Sequence, residues 1–143
     1  MIDSSVSISA TEWLEESLPD VASWRSDDTV RIAPILAAHG VDVLDVSAGG
    51  IHTKQKFHYG PAYQSHLAAD VRKSNPGLLV STVGGIDDGK LAQRLLDEGK
   101  ADIVMCGRGF QRNPGLVLEF AEALDVEIHQ ARQIEWGYRI RRH

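Results

Sequence analysis

The sequence predicts an α/β fold of four parallel strands alternating with four helices. It is either a small doubly wound domain or half of a (β/α)8 TIM barrel. Short β-branched apolar runs alternate along the chain with stretches of helical periodicity, the pattern of a parallel sheet covered by helices. No Pro-rich or low-complexity linker divides the 143 residues, so they form one domain or part of a larger one. Two glycine-bearing strand ends, Ser81–Asp87 and Ile103–Gly109, sit one strand–helix unit apart. Such consecutive turns favour the barrel, whose phosphate site is commonly built from its last two strand–helix loops.

Each element follows in order. Val6 to Ala10 alternates as a strand, and a polar loop runs from Thr11 to Trp24. Ser26 can cap a helix carrying Val30, Ile32, Ile35 and Leu36, which Gly40 closes. Val41 to Val46 reads as the second strand and ends in Ser47-Ala48-Gly49-Gly50. Pro61 opens a second helix with Tyr63, Leu67 and Val71, terminated by Asn75-Pro76-Gly77. Leu78 to Val83 is the third strand, after which Asp87 caps a helix with Leu91, Leu95 and Leu96 on one stripe. Ala101 to Met105 is the fourth strand. Asn113-Pro114 starts a fourth helix with Pro at its first position, and Leu116, Val117, Phe120 and Leu124 form its apolar face.

Composition narrows the function classes. Hydrophobic residues make up 43% and charged residues 24%, which is ordinary for a folded domain. A formal net charge of -5 argues against a general nucleic-acid binder. The basic run Arg139, Arg141, Arg142 and His143 reads as a solvated terminus. A single cysteine, Cys106, rules out an intrachain disulfide and suits a reducing compartment. No apolar stretch reaches the roughly 18 residues of a membrane span. The polar start Met1-Ile2-Asp3-Ser4-Ser5 is no signal peptide, so a cytoplasmic location is expected.

The strand-end turns read as a phosphate cradle. On a parallel sheet both open at the same edge, where backbone N–H groups and a helix N-terminus can hold an anion. Gly84, Gly85 and Gly107 let the chain approach that anion because they lack a Cβ, and Arg108 adds a forked cation. A dinucleotide-binding reading is weak, because Gly107-Arg108-Gly109 lacks the third glycine of the fingerprint. Cys106 has no visible His or Asp pairing and reads as a small packed residue, not a nucleophile. His52 and His58 flank a loop without metal-ligand spacing, so no metal site is expected. Asp42 and Asp45 are not a general acid/base pair, and Asp45 alternates with Leu44 so as to meet the barrel interior. Trp13 and Trp24 pack a loop, and Trp136 suits a subunit contact.

Five words, in order, resemble the old yellow enzyme family, in particular its NADPH dehydrogenase or thermophilic-like ene-reductase class. They are Ile8-Ser9-Ala10-Thr11-Glu12-Trp13, Gly40 to Gly50, Gly60-Pro61-Ala62-Tyr63-Gln64, Val83-Gly84-Gly85-Ile86 and Gly107-Arg108. The likeness covers Val6 to Tyr138, nearly the whole chain. It implies the C-terminal half of a flavin-dependent (β/α)8 TIM barrel. The chain then forms a single half-barrel FMN-binding domain over residues 1–143, with a C-terminal tail over 125–143. FMN would be reduced by NADPH or NADH and would pass hydride to an activated alkene or enone. By resemblance, Gly84, Gly85, Gly107 and Arg108 hold the phosphate and ribityl end of FMN, and Ser47 and Gly49 line the neighbouring turn.

Two departures accompany the likeness. The family's strand arginine, which faces the flavin pyrimidine edge, is replaced by Ser7. The family's substrate-binding and proton-donating residues belong to the other half-barrel, so no catalytic residue is carried over. The tail Gln133-Ile134-Glu135-Trp136-Gly137-Tyr138 resembles one that reaches a partner subunit, but Trp136 stands where bacterial members have arginine. The expectation is a truncated or partial oxidoreductase that forms a homo-oligomer or pairs with a missing N-terminal half. Two alternatives stay open: a non-catalytic half-barrel that self-associates, and a barrel enzyme for sugar or nucleotide phosphates.

Overall fold

The computed structural model describes residues 4–137. Tyr138 and the basic run from Arg139 to His143 lie outside the described residues. The order is β1 (Ser5–Ser9), α1 (Ser26–Ala38), β2 (Val43–Ser47), α2 (Ser65–Ser74), β3 (Leu79–Val83), α3 (Gly89–Asp97) and β4 (Ile103–Met105), then α4 (Gly107–Arg112) and α5 (Leu116–Ala123). A short 3-10 turn occupies Glu135–Gly137.

The four strands form one open parallel sheet in the order β1-β2-β3-β4. The register aligns Ser7 with Asp45, Asp45 with Ser81, and Ser81 with Ile103. Because side chains alternate across a strand, this alignment sorts them onto two faces. One face carries Leu44, Val46 and Val80, which pack with Ala33 of α1 and with Leu67, Ala68 and Val71 of α2. A second cluster joins Val104 to Leu91, Ala92 and Leu95 of α3, with Phe120 of α5 against it. The described helices therefore cover a single face, as consecutive strand–helix–strand crossovers of one hand require.

The predicted strands and their alternation with helices agree with the structure, and four helix boundaries differ. Arg25, not Ser26, occupies the N-cap of α1, and Asp28 accepts from its backbone amide at 2.9 Å. Asp88, one residue beyond Asp87, caps α3 by accepting from the Leu91 amide at 3.0 Å. Pro61 and Tyr63 precede α2, because Ala62 takes a left-handed φ of 52° and its amide bonds to Gly85 O instead of continuing a helix. Pro114 sits in a turn. Asn113 accepts from the Gly115 amide at 2.9 Å, so the last long helix starts only at Leu116. The chain also folds Gly107–Arg112 into an additional short helix, α4.

Candidate functional site

Parallel pairing brings all four strand ends to one rim. Val83 is level with Met105, so the Gly84-Gly85 turn and the start of α4 at Gly107 emerge side by side. Ser9 is level with Ser47, which places Ser47 and the Gly49 turn on the same rim. All six candidate residues thus lie at one edge of the sheet.

The reason for glycine differs among them. Gly84 and Gly85 take φ values of +106° and +65°. A Cβ on Gly84 would sit 2.6 Å from Gln64 Nε2 and 2.9 Å from the Tyr63 ring. One on Gly85 would collide with the Gly60 carbonyl oxygen, and one on Gly49 with the Phe57 ring. The space without side chains at these three turns is filled by the protein's own 57–64 segment. At Gly107 a Cβ would meet nothing within 4 Å, so the backbone there borders open space. Among the described residues, the amides of Gly84, Gly85 and Gly107 donate to no loop or cap acceptor.

Arg108 is exposed and faces the rim from α4. Its charge reaches Tyr63, although burial, and secondarily Tyr59, push the Tyr63 phenol above its ordinary range. Tyr63 belongs to an aromatic run in which Phe57 stacks on Tyr59 at 5.4 Å and Tyr59 meets Tyr63 edge-on at 5.4 Å. Gln64 is buried, donates to Val83 O at 3.1 Å, and leaves its own carbonyl oxygen without a partner. The sequence alone assigns no site role to Tyr63 or Gln64, although both stand in the Gly-Pro-Ala-Tyr-Gln word. Only the fold shows that this word closes over the third strand end.

The remaining candidates separate from the rim chemistry. Cys106 packs against the α3 cluster, and burial followed by Asp87 raises its thiol pKa, which opposes a nucleophilic role. His58 pairs with Glu16 at 3.2 Å, and His52 accepts from the Lys54 amide. Trp24 donates to Thr29 at 2.7 Å, so it serves the loop before α1. Trp136 is 80% exposed. Asp45 lies on the face opposite Leu44 and receives hydrogen bonds from Ser7 and Ser81. A cavity of about 190 Å³, lined by Thr11, Trp13, Glu16, Lys56 and His66 among others, contains none of the six rim residues.

Comparison with known proteins adds a family to this geometry. Residues 22–138 match the family model for dihydrouridine synthase (Dus). The chain belongs to the Dus family. It is also 46% identical to an NADH:flavin oxidoreductase of Gibberella zeae, over 94% of this chain and 34% of that protein. It is 30% identical to an NADPH dehydrogenase of Bacillus subtilis, over 93% of this chain and 37% of that protein. The chain therefore spans about a third of the length of the curated relatives it matches. Dus-family domains are flavin-dependent TIM barrels, and the four-stranded parallel sheet is a partial barrel of that kind. Among the described residues of this Dus-family chain, no helix is long and apolar enough to cross a membrane.

Proposed function

We propose that this chain is the FMN-phosphate-holding part of an NAD(P)H-dependent flavin oxidoreductase of the ene-reductase type, acting in the cytoplasm. The observation that carries the reading is the shared rim, where the Gly84-Gly85 turn and the Gly107-Arg108 start of α4 lie side by side. The residues present fit the group. Gly107 borders open space, Arg108 supplies an exposed cation, and the orphaned Gln64 oxygen beside Gly84 is an acceptor suited to a hydroxyl. Relatives named NADH:flavin oxidoreductase and NADPH dehydrogenase support the same reading.

In this reading, Gly84, Gly85 and Gly107 amides with Arg108 hold the phosphate. Gln64 accepts from the ribityl chain, and Ser47 and Gly49 border it. Bound FMN supplies hydride transfer from NADPH or NADH to an activated alkene. This chain's residues orient its tail. Each charge-assisted hydrogen bond to phosphate is worth about 1.5–3 kcal/mol, so losing Arg108 weakens binding about tenfold or more.

Fluorescence titration of the purified chain with FMN and with riboflavin tests the proposal. FMN should be quenched at micromolar concentrations and riboflavin should bind at least tenfold more weakly. Arg108→Ala should erase most of that difference. Equal binding of both ligands, or indifference to FMN, would reject the phosphate cradle.

A further inference from the structure

We infer that Tyr59 is a positioning residue: as the middle ring of an aromatic relay, it holds the Gly84-Gly85 turn in the geometry that receives a phosphate. This role rests on the flavin reading and extends it to a side chain outside the cradle. The relay joins two turns of the rim. At one end, the Phe57 ring overlaps the place of a Cβ on Gly49. At the other, the Tyr63 ring lies 2.9 Å from where a Cβ on Gly84 would sit. Tyr59 links the two. It stacks on Phe57 at 5.4 Å with planes 25° apart, and meets Tyr63 edge-on at 5.4 Å and 64°.

Burial does not explain the central ring. Tyr59 is 72% exposed, whereas Phe57 and Tyr63 are half-buried. What holds Tyr59 is contact with its two aromatic neighbours, and such pairs are favourable beyond the area they bury. The backbone around it is anchored on both sides. Before it, the Lys56 amide donates to Trp13 O at 3.2 Å, and His58 pairs with Glu16 at 3.2 Å. After it, the Gly60 carbonyl abuts Gly85, and the Ala62 amide donates to Gly85 O at 3.1 Å.

The turn needs such support. Gly49 and Gly84 have positive φ values of +105° and +106°, and glycine itself does little to restrict either turn. An anion held by backbone N–H groups is bound well only when those groups are fixed before it arrives. Gln64 Nε2 steadies one side of the turn by donating to Val83 O at 3.1 Å. The ring of Tyr63 packs against Gly84, and Tyr59 couples that ring to Phe57 and the Gly49 turn. Arg108, whose charge reaches Tyr63, starts from the neighbouring strand end.

Titration of Tyr59→Ala, Tyr59→Phe and Phe57→Ala with FMN and riboflavin tests this role, together with exchange of the Ala62 amide without ligand. Tyr59→Ala should lower the preference for FMN over riboflavin severalfold and leave riboflavin affinity unchanged. Phe57→Ala should do the same. The double variant should lose no more than either alone, because both break one relay. Tyr59→Phe keeps the ring and should restore the preference. In Tyr59→Ala the Ala62 amide should exchange severalfold faster than in wild type. Thermal unfolding of Tyr59→Ala should stay close to wild type, since the ring is exposed. An undiminished FMN preference, additive losses, or an equal loss for riboflavin, which shares the ring system but lacks the phosphate, would overturn the inference. Unchanged Ala62 exchange would overturn it whatever the flavins do. A wild type without preference for FMN would instead reject the flavin reading and leave the exchange rates to judge the relay.

Discussion

Gly85 and Gly60 meet backbone to backbone, with no room for a Cβ on Gly85 beside the Gly60 carbonyl oxygen. The Ala62 amide closes the contact by donating to Gly85 O at 3.1 Å. This clasp holds the third strand end against the segment that leads into α2. Gly85→Ala should cost about 1–3 kcal/mol from its left-handed backbone alone, and more from the collision. Chemical denaturation measures the loss. An unchanged midpoint would mean that the clasp is not formed.

Gly107 makes the opposite case at the same rim. Its Cβ position is open, so Gly107→Ala should leave stability within about 1 kcal/mol of wild type. It should nevertheless weaken FMN binding, because the methyl group would stand where the anion approaches. Paired denaturation and FMN titration separate the two effects. A variant that binds FMN normally would remove Gly107 from the cradle.

Arg72 and Asp102 tie α2 to the approach to β4. Arg72 Nε donates to Asp102 Oδ1 at 2.9 Å and Nη1 to Gly99 O at 3.0 Å, and Asp102 Oδ2 accepts from the Val80 amide at 3.0 Å. Asp102→Ala should cost about 1–3 kcal/mol, because it leaves the Val80 amide of a buried strand residue unpaired. Arg72→Ala should cost less, about 1 kcal/mol, since its side chain is 37% exposed. Thermal unfolding of both variants should rank them in that order.

Cys106 should react slowly with alkylating reagents at mildly alkaline pH, because burial and Asp87 hold its thiol above the ordinary value of 9.0. The unfolded chain ionises first as pH rises. Stability contributed by this group is therefore full below pH 9 and falls as pH climbs through the ordinary thiol range. Cys106→Ala should flatten that alkaline fall. A Cys106 that alkylates as fast as a small free thiol would contradict the burial.

Much of the fold was legible because alternation and helical periodicity report burial directly. Val43 to Val46, Leu79 to Val83 and the Leu91, Leu95 stripe read as they fold. Helix starts were less legible. Asp87 and Asp88 are equally good capping residues in sequence, and the backbone of residue 88, extended at φ -132°, decides between them. The sequence favours Pro114 as a first helical residue, but the Asn113 side chain accepts from the Gly115 amide and the helix starts only at Leu116.

By itself the chain determined that four strands run parallel and that their glycine-bearing ends share a rim, since strand–helix–strand connections leave little topological choice. Tertiary structure alone decided why the glycines at 84 and 85 are needed. Their missing side chains make room for Gln64, Tyr63 and Gly60, residues about 20 positions away in sequence that only packing brings close. It also decided that Asp45 lies between Ser7 and Ser81 on an uncovered face. Register across three strands is a property of hydrogen bonding between distant segments, and no local pattern encodes it.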